Sequence, residues 1–354
     1  MSKIAFPMLS DYEVAIKYLF SHITNSEIIT PSNITVNTIE LGNKYSPEFV
    51  CTPFKYTMGS LIENINNGAD TLIQIGGGCR YGYYYKLQEQ ILKDLNYDVK
   101  LYNLVTAGKT NIKKLYKTIL KIEPKLNIFK SIYYLLITVR MVKYMDKIDN
   151  YIRSNIGFGE YDEFINLKKK MLNSFSKTKN NINLTFKYLK YKKAFKKLKI
   201  DKPKKHLKVG IIGELYTIME PFSNYFLERE LAKFNIEIKR FTNVDYLLFT
   251  KKKLLRKALK NTKEYMKYKL VADASSNIYW AKYLGINKYD GIIHIKSSFC
   301  TPEIEIMPIL TKVANDYNIP IMFMSFDSNT SEVGVKTRIE AFVDMIEMRK
   351  NKCM

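Results

Sequence analysis

Three cysteines in separate parts of the chain carry the strongest chemical signal. Cys51 lies in Phe49-Val50-Cys51-Thr52-Pro53-Phe54, Cys79 follows Gly76-Gly77-Gly78, and Cys300 lies in Ser298-Phe299-Cys300-Thr301-Pro302. Cys79 follows the apolar run 71–75 and Cys300 the strand-like run 291–296, and all three precede helical patterns. The Cys-Thr-Pro order at 51 and 300 sets proline at a helix start, where its fixed φ suits the first turn. A sulfur placed there meets unpaired N–H groups and the positive end of the helix dipole, which favours thiolate, the form that binds metal. The three glycines let the backbone come close to a bulky inorganic centre; alone they also fit a phosphate-binding loop. Three thiolates suit a [4Fe-4S] cluster with one iron open, or a zinc ion with an open fourth position. Any one of these cysteines read singly is a small buried hydrophobe. Three in matched junctions read as one metal centre, with Cys353, next to the C-terminal residue, as a bystander.

Other polar residues attach to the same junctions. Glu214 and Glu220 fall near the carboxyl end of the strand-like run 207–213. Glu214 is a candidate to orient a bound group or carry a proton, or else a carboxylate at a helix entry that complements the dipole. Arg80, adjacent to Cys79, is a candidate to offset charge at the centre or to pair with a phosphate, with a surface ion pair as the plain alternative. His294, inside Ile292-Ile293-His294-Ile295, reads as an interior histidine with a satisfied partner, and Glu303 as a carboxylate complementing a helix dipole. Tyr81, Tyr83, Tyr84 and Tyr85 form an aromatic run able to shield a metal centre from water.

The elements that must position these residues alternate between extended and helical patterns. Residues 1–107 read as an α/β unit: strands at 4–8, 71–75 and 98–102, and helices at 12–22, 54–67 and 83–95. Residues 108–206 contain almost no turn signals, Pro124 being an exception, and repeat at helical period, so a basic helical domain is expected there. Residues 207–354 return to α/β, with strands at 207–212, 236–241, 291–296 and 320–326. Helices are expected at 221–234, 251–268, 275–285 and 302–317, and from Ser331 onward. Strands alternating with helices imply two Rossmann-like parallel-sheet domains, whose ligands gather at the carboxyl ends of the strands.

Composition excludes several classes. The chain has 354 residues and 46% hydrophobic content, enough for more than one folded domain. No apolar run has the length of a membrane span, and four cysteines without close pairs argue against a disulfide scaffold and for a reducing, cytoplasmic setting. Of the net charge of +23, +16 falls in residues 111–200, which carry 22 Lys/Arg against 6 Asp/Glu. Such a surface attracts polyanions or acidic proteins, yet no nucleic-acid motif accompanies it, so nucleic acid is not the expected partner.

The segments Tyr45 to Lys55, Gly68-Ala69-Asp70 and Gly78 to Tyr84 resemble the 2-hydroxyacyl-CoA dehydratase family, and in particular its activase-related branch. The resemblance continues through Gly213 to Tyr216, Glu220 to Phe222, His294 to Ile304, Ser325 to Asp327, Ser331-Glu332 and Thr337 to Phe342. It covers both α/β units, and the helical insert matches only in kind. It implies two Rossmann-like domains around a helical domain and a [4Fe-4S] cluster on Cys51, Cys79 and Cys300. It also implies a separate ATP-driven [4Fe-4S] activase as electron donor, an acyl-CoA thioester as substrate, and a dimer with itself or with a different subunit. Dehydratases of the family use one low-potential electron to make a ketyl radical of a 2-hydroxyacyl-CoA. A double-cubane variant needs more ligands than three cysteines. The chain has no Gly-x-x-x-x-Gly-Lys-Ser/Thr sequence, so it reads as the electron acceptor, with ATP used elsewhere. A non-catalytic electron-relay subunit and a zinc-binding α/β protein are the alternative readings.

Overall fold

The computed structural model describes residues 2–104 and 112–352; the boundary expected at 107/108 and Cys353 lie outside the described residues. The chain divides into two compact units, Met1–Arg140 and Met141–Met354, each holding one four-stranded, all-parallel sheet. The fold is α/β, as the alternating pattern implied.

In the first unit the strands are β1 (Lys3–Ala5), β2 (Glu27–Ile28), β3 (Thr71–Gln74) and β4 (Lys100–Asn103), in the order β2-β1-β3-β4. Helices α1 (Glu13–Ile23), α2 (Val36–Tyr45), α3 (Thr52–Asn66), α4 (Tyr84–Asp94) and α5 (Ile112–Ile122) accompany them. Successive strand residues serve opposite faces. Ala5 and Leu72 pack with Phe54, Met58 and Leu61 of α3 and with Leu92 of α4. Ile4 and Ile73 pack on the other side with Phe20 and Ile23 of α1. Burial on both faces is why β1 and β3 show no alternation of polar and apolar residues.

Helix α2 and strand β2 were not expected from the sequence. Little of α2 is apolar, and what seats it is the absence of side chains. A Cβ on Gly42 would stand 2.0 Å from the Lys55 carbonyl oxygen, and one on Gly59 would stand 1.9 Å from that of Thr38. The two helices therefore touch backbone to backbone, and Thr38 donates its hydroxyl to Glu63 at 2.9 Å.

The second unit contains the later part of α6 (Ile128–Asn155), then α7 (Tyr161–Ser176) and α8 (Asn181–Lys196). Next come β5 (Leu207–Gly213), α9 (Leu215–Met219), α10 (Leu227–Ala232), β6 (Ile236–Arg240), α11 (Lys251–Asn261) and α12 (Ala274–Ile286). The chain closes with β7 (Gly291–Ser297), α13 (Thr301–Asp316), β8 (Ile321–Phe326) and α14 (Glu332–Lys352). The order β6-β5-β7-β8 repeats that of the first sheet. One face, through Ile212 and Ile292, packs on Ile278, Ala281 and Leu284 of α12 and on Ile306 and Leu310 of α13.

The single helix expected over 221–234 is broken. A tight turn spans Phe222–Asn224, and Tyr225 and Phe226 follow with φ of 55° and 54° in the left-handed region. Asn224 stabilises the break, donating from Nδ2 to the Thr217 carbonyl at 2.6 Å and accepting from Leu227 N at 3.0 Å. The basic helices are tied to the sheet within this unit by ion pairs. Glu228 of α10 accepts from Arg153 of α6 at 2.9 Å and from Arg240 of β6 at 2.8 Å. Asp149 meets Lys168 of α7 at 2.8 Å.

Candidate metal centre at the carboxyl edges of the sheets

All three cysteines stand at helix starts. Cys51 is the N-cap residue of α3 and Cys300 that of α13, each with proline in the first turn. Cys79 is the N-cap of a 3-10 turn, Arg80–Tyr83, that leads into α4. Its sulfur accepts from the Tyr81 N–H at 3.5 Å. Each is half-buried and none forms a disulfide.

In the first unit the fold brings two of them to one place. The Cys51 sulfur contacts the Tyr84 hydroxyl, and the Tyr84 ring lies tilted against that of Tyr81, with ring centroids 5.0 Å apart. Tyr81 in turn gives its N–H to Cys79, so the two thiols share one tyrosine pair. Of the aromatic run, Tyr84 is buried and Tyr81 partly so, whereas Tyr83 is 65% exposed and turns away. Tyr81 and Tyr84 are the members of the run that reach the two thiols.

The glycine run answers a test of fit. Gly76, Gly77 and Gly78 all have ordinary backbone angles, since the left-handed glycines are Gly68 and Gly213. A Cβ on Gly77 would meet Tyr81 only at ordinary contact, 3.4 Å. Neither conformation nor close packing on the chain itself requires a glycine at 77, which leaves clearance for something else beside Cys79. Arg80 is exposed at the start of the same turn.

Topology pairs the cysteines differently from the sequence. Cys-Thr-Pro matches Cys51 to Cys300, but Cys51 follows β2, while Cys79 and Cys300 each follow the third strand of a sheet of identical order. That third strand borders the switch point, between first and third strands, where open α/β sheets bind ligands.

In the second unit the switch point lies between β5 and β7, flanked by Glu214 and Cys300. Gly213 ends β5 at φ 137°, and a Cβ there would lie 1.8 Å from the Ile295 carbonyl oxygen, so the strand exits where only glycine fits. Glu214 caps α9, accepting from Tyr216 N at 2.8 Å and Thr217 N at 2.9 Å. Burial pushes its carboxyl above the usual range, against these hydrogen bonds, and the Glu303 charge adds to the rise. Glu220 is buried beside it in the following turn.

A buried polar set that the sequence reading missed lies under α13. Glu303 is 1% exposed and accepts from Asn277 of α12 at 2.9 Å, with His294 Nε2 at 2.8 Å. Asn277 also donates to the Gly213 carbonyl at 3.1 Å, linking the end of β5 to α13. Glu303 is thus more than a dipole partner. His294 has the expected partner at Nε2, but its buried Nδ1 has none among the described residues. Lys296 is 4% exposed. Burial pulls its ammonium pKa down, while the charges of Cys300 and Glu303 oppose that shift. The only signal for these residues in the sequence was three polar residues, at 294, 296 and 303, around an apolar strand.

Within either unit, among the described residues, no three His, Cys, Asp or Glu side chains gather into a metal site; Cys51 and Cys79 belong to one unit and Cys300 to the other. No helix of the described residues is long and apolar enough to cross a membrane. No curated protein matches the chain. Residues 253–346 match the family model of the 2-hydroxyglutaryl-CoA dehydratase D-component, a segment that holds Asn277, His294, Lys296, Cys300 and Glu303. The match covers this C-terminal segment alone, which is thereby similar to the D-component of a 2-hydroxyacyl-CoA dehydratase.

Proposed function

We propose that the chain is the iron–sulfur component of a dehydratase-like system, with Cys51, Cys79 and Cys300 as thiolate ligands of a [4Fe-4S] cluster. It accepts low-potential electrons from an ATP-dependent activase and passes them to an acyl-CoA thioester. The observation that carries this reading is the equivalent placement of Cys79 and Cys300 after the third strand of two sheets of the same order. Helix starts supply N–H groups and dipole to hold the thiolates, and glycines 76–78 give clearance. When bound, the cluster supplies one-electron transfer and an open iron position.

The chain's own residues do the rest. Tyr81 and Tyr84 cover the Cys51 and Cys79 sulfurs on their protein side. Glu214, whose proton affinity burial raises, is the group placed to exchange a proton at the β5 edge. Arg80, exposed beside Cys79, meets the phosphates of coenzyme A or the acidic surface of the electron donor. The setting is reducing and cytoplasmic.

Anaerobic purification tests the reading. A brown protein with about four irons and matching sulfide per chain is expected, and Cys79→Ala should lose most of both. A colourless, zinc-loaded chain, or full iron in the variant, overturns it. Acyl-CoA binding to the reduced protein is expected; its absence reassigns the chain to electron relay.

A further inference from the structure

We propose that Lys296 is a positioning residue that balances the charge at Cys300 and thereby raises the reduction potential of the cluster bound there. The inference rests on the reading of Cys300 as a ligand, but its evidence is separate. Side chains alternate along β7, and Ile292, His294 and Lys296 share one face. Ile292 enters the core formed with α12 and α13, and His294 reaches Glu303 on α13 at 2.8 Å. That face is therefore the one α13 covers. Lys296 stands one step further along it, beneath the first turn of α13. The Cys300 N–H bonds back to the Ser297 carbonyl at 3.0 Å, folding the sulfur-bearing residue over the end of the strand.

A lysine 4% exposed in such a place requires an anion. Glu303 does not meet this need by direct contact, because it is turned to His294 and Asn277 and forms no ion pair with Lys296. Among the described residues the Lys296 ammonium makes no hydrogen bond or ion pair, and the charges it feels are those of Cys300 and Glu303. The thiolate and the group it holds are the remaining anion. Reduction adds one electron from the low-potential iron–sulfur donor and no proton, so the added negative charge is met by the fixed ammonium. Net charge around a cluster is one of the levers that sets its potential.

The test is a redox titration of the full chain, loaded anaerobically with iron and sulfide and followed by electron paramagnetic resonance. Lys296→Met should keep its iron and become harder to reduce, by about tenfold in the reduction equilibrium, equivalent to about 59 mV for one electron. Lys296→Arg should stay close to wild type. Glu303→Gln removes a negative charge from the same neighbourhood and should shift the potential the opposite way. Opposite shifts in the two variants support the inference, and a purely structural role does not produce them. Iron-loaded variants with the wild-type potential, or with shifts of the same sign, overturn it while leaving the ligand assignment standing. A wild-type chain without iron overturns both.

Discussion

Glu214 shows how one residue can serve the fold and the chemistry together. Both of its oxygens accept N–H groups at the start of α9, which is a capping role. Burial nevertheless raises its pKa above 4.5, the ordinary value. Between that value and the raised one, the native chain holds a proton that the unfolded chain has lost. This group's contribution to stability therefore falls as pH rises through that window. Glu214→Gln lacks the titration, so thermal denaturation across pH 4.5 and above should show wild type losing stability relative to the variant. A constant difference between the two would show that the carboxyl titrates normally. The helix-start placement of the cysteines was legible at this scale because their local contexts repeat. Asn277, Lys296 and the His294–Glu303 pair were not, because what defines them is contact between β7, α12 and α13, and no local pattern records that contact.

Among the elements, the strands other than β2 read well from sequence, because most are apolar runs between turn signals. The failures have specific causes. Helix α2 was missed because Gly42 and Gly59 seat it by removing side chains, which an apolar-periodicity argument counts as nothing. The helix expected at 221–234 was over-extended because Tyr225 and Phe226 carry no sign that they adopt left-handed angles, which Asn224 stabilises through contacts to Thr217. The tie between the basic helices and the second sheet was also invisible, since Arg153, Glu228 and Arg240 come from three elements. Burial pushes the Glu228 carboxyl up, but Arg153 and Arg240 together hold it below the usual range. Its stabilising contribution is therefore present above pH 4.5 and is lost as pH falls through its lowered value. Glu228→Gln should cost about 3 kcal/mol at neutral pH, the low end for breaking a buried ion pair. Its side chain keeps 29% exposure, which is why the low end applies. Denaturant unfolding of the two proteins should converge in acid well below pH 4.5; a cost that persists there would point to packing instead.

For the whole molecule, charge is the dominant property. A net charge of +23 gives long-range attraction for acidic surfaces that salt screens. Helix α8 concentrates it, with Lys190, Lys192, Lys193 and Lys196 exposed on the same helix as the exposed Ile182, Phe186 and Leu189. With heparin as a polyanion probe, affinity should fall by about tenfold or more between about 0.05 and 0.2 M salt. Lys190→Glu with Lys193→Glu should weaken binding further at the lower salt. A salt-independent affinity would mean that these lysines act only as solvated side chains.

The glycine contact between α2 and α3 has a consequence for the order of events in maturation. Cys51 begins a helix that is locked to its neighbour by backbone atoms at Gly42 and Gly59, with no side chain able to yield. Cys79 is tied to the same tyrosine pair as Cys51. On the proposed reading, two of the three ligands therefore sit on a scaffold fixed by backbone contact, unlike a zinc finger, whose fold waits for its metal. Stripping metal from the chain is then expected to leave this unit folded.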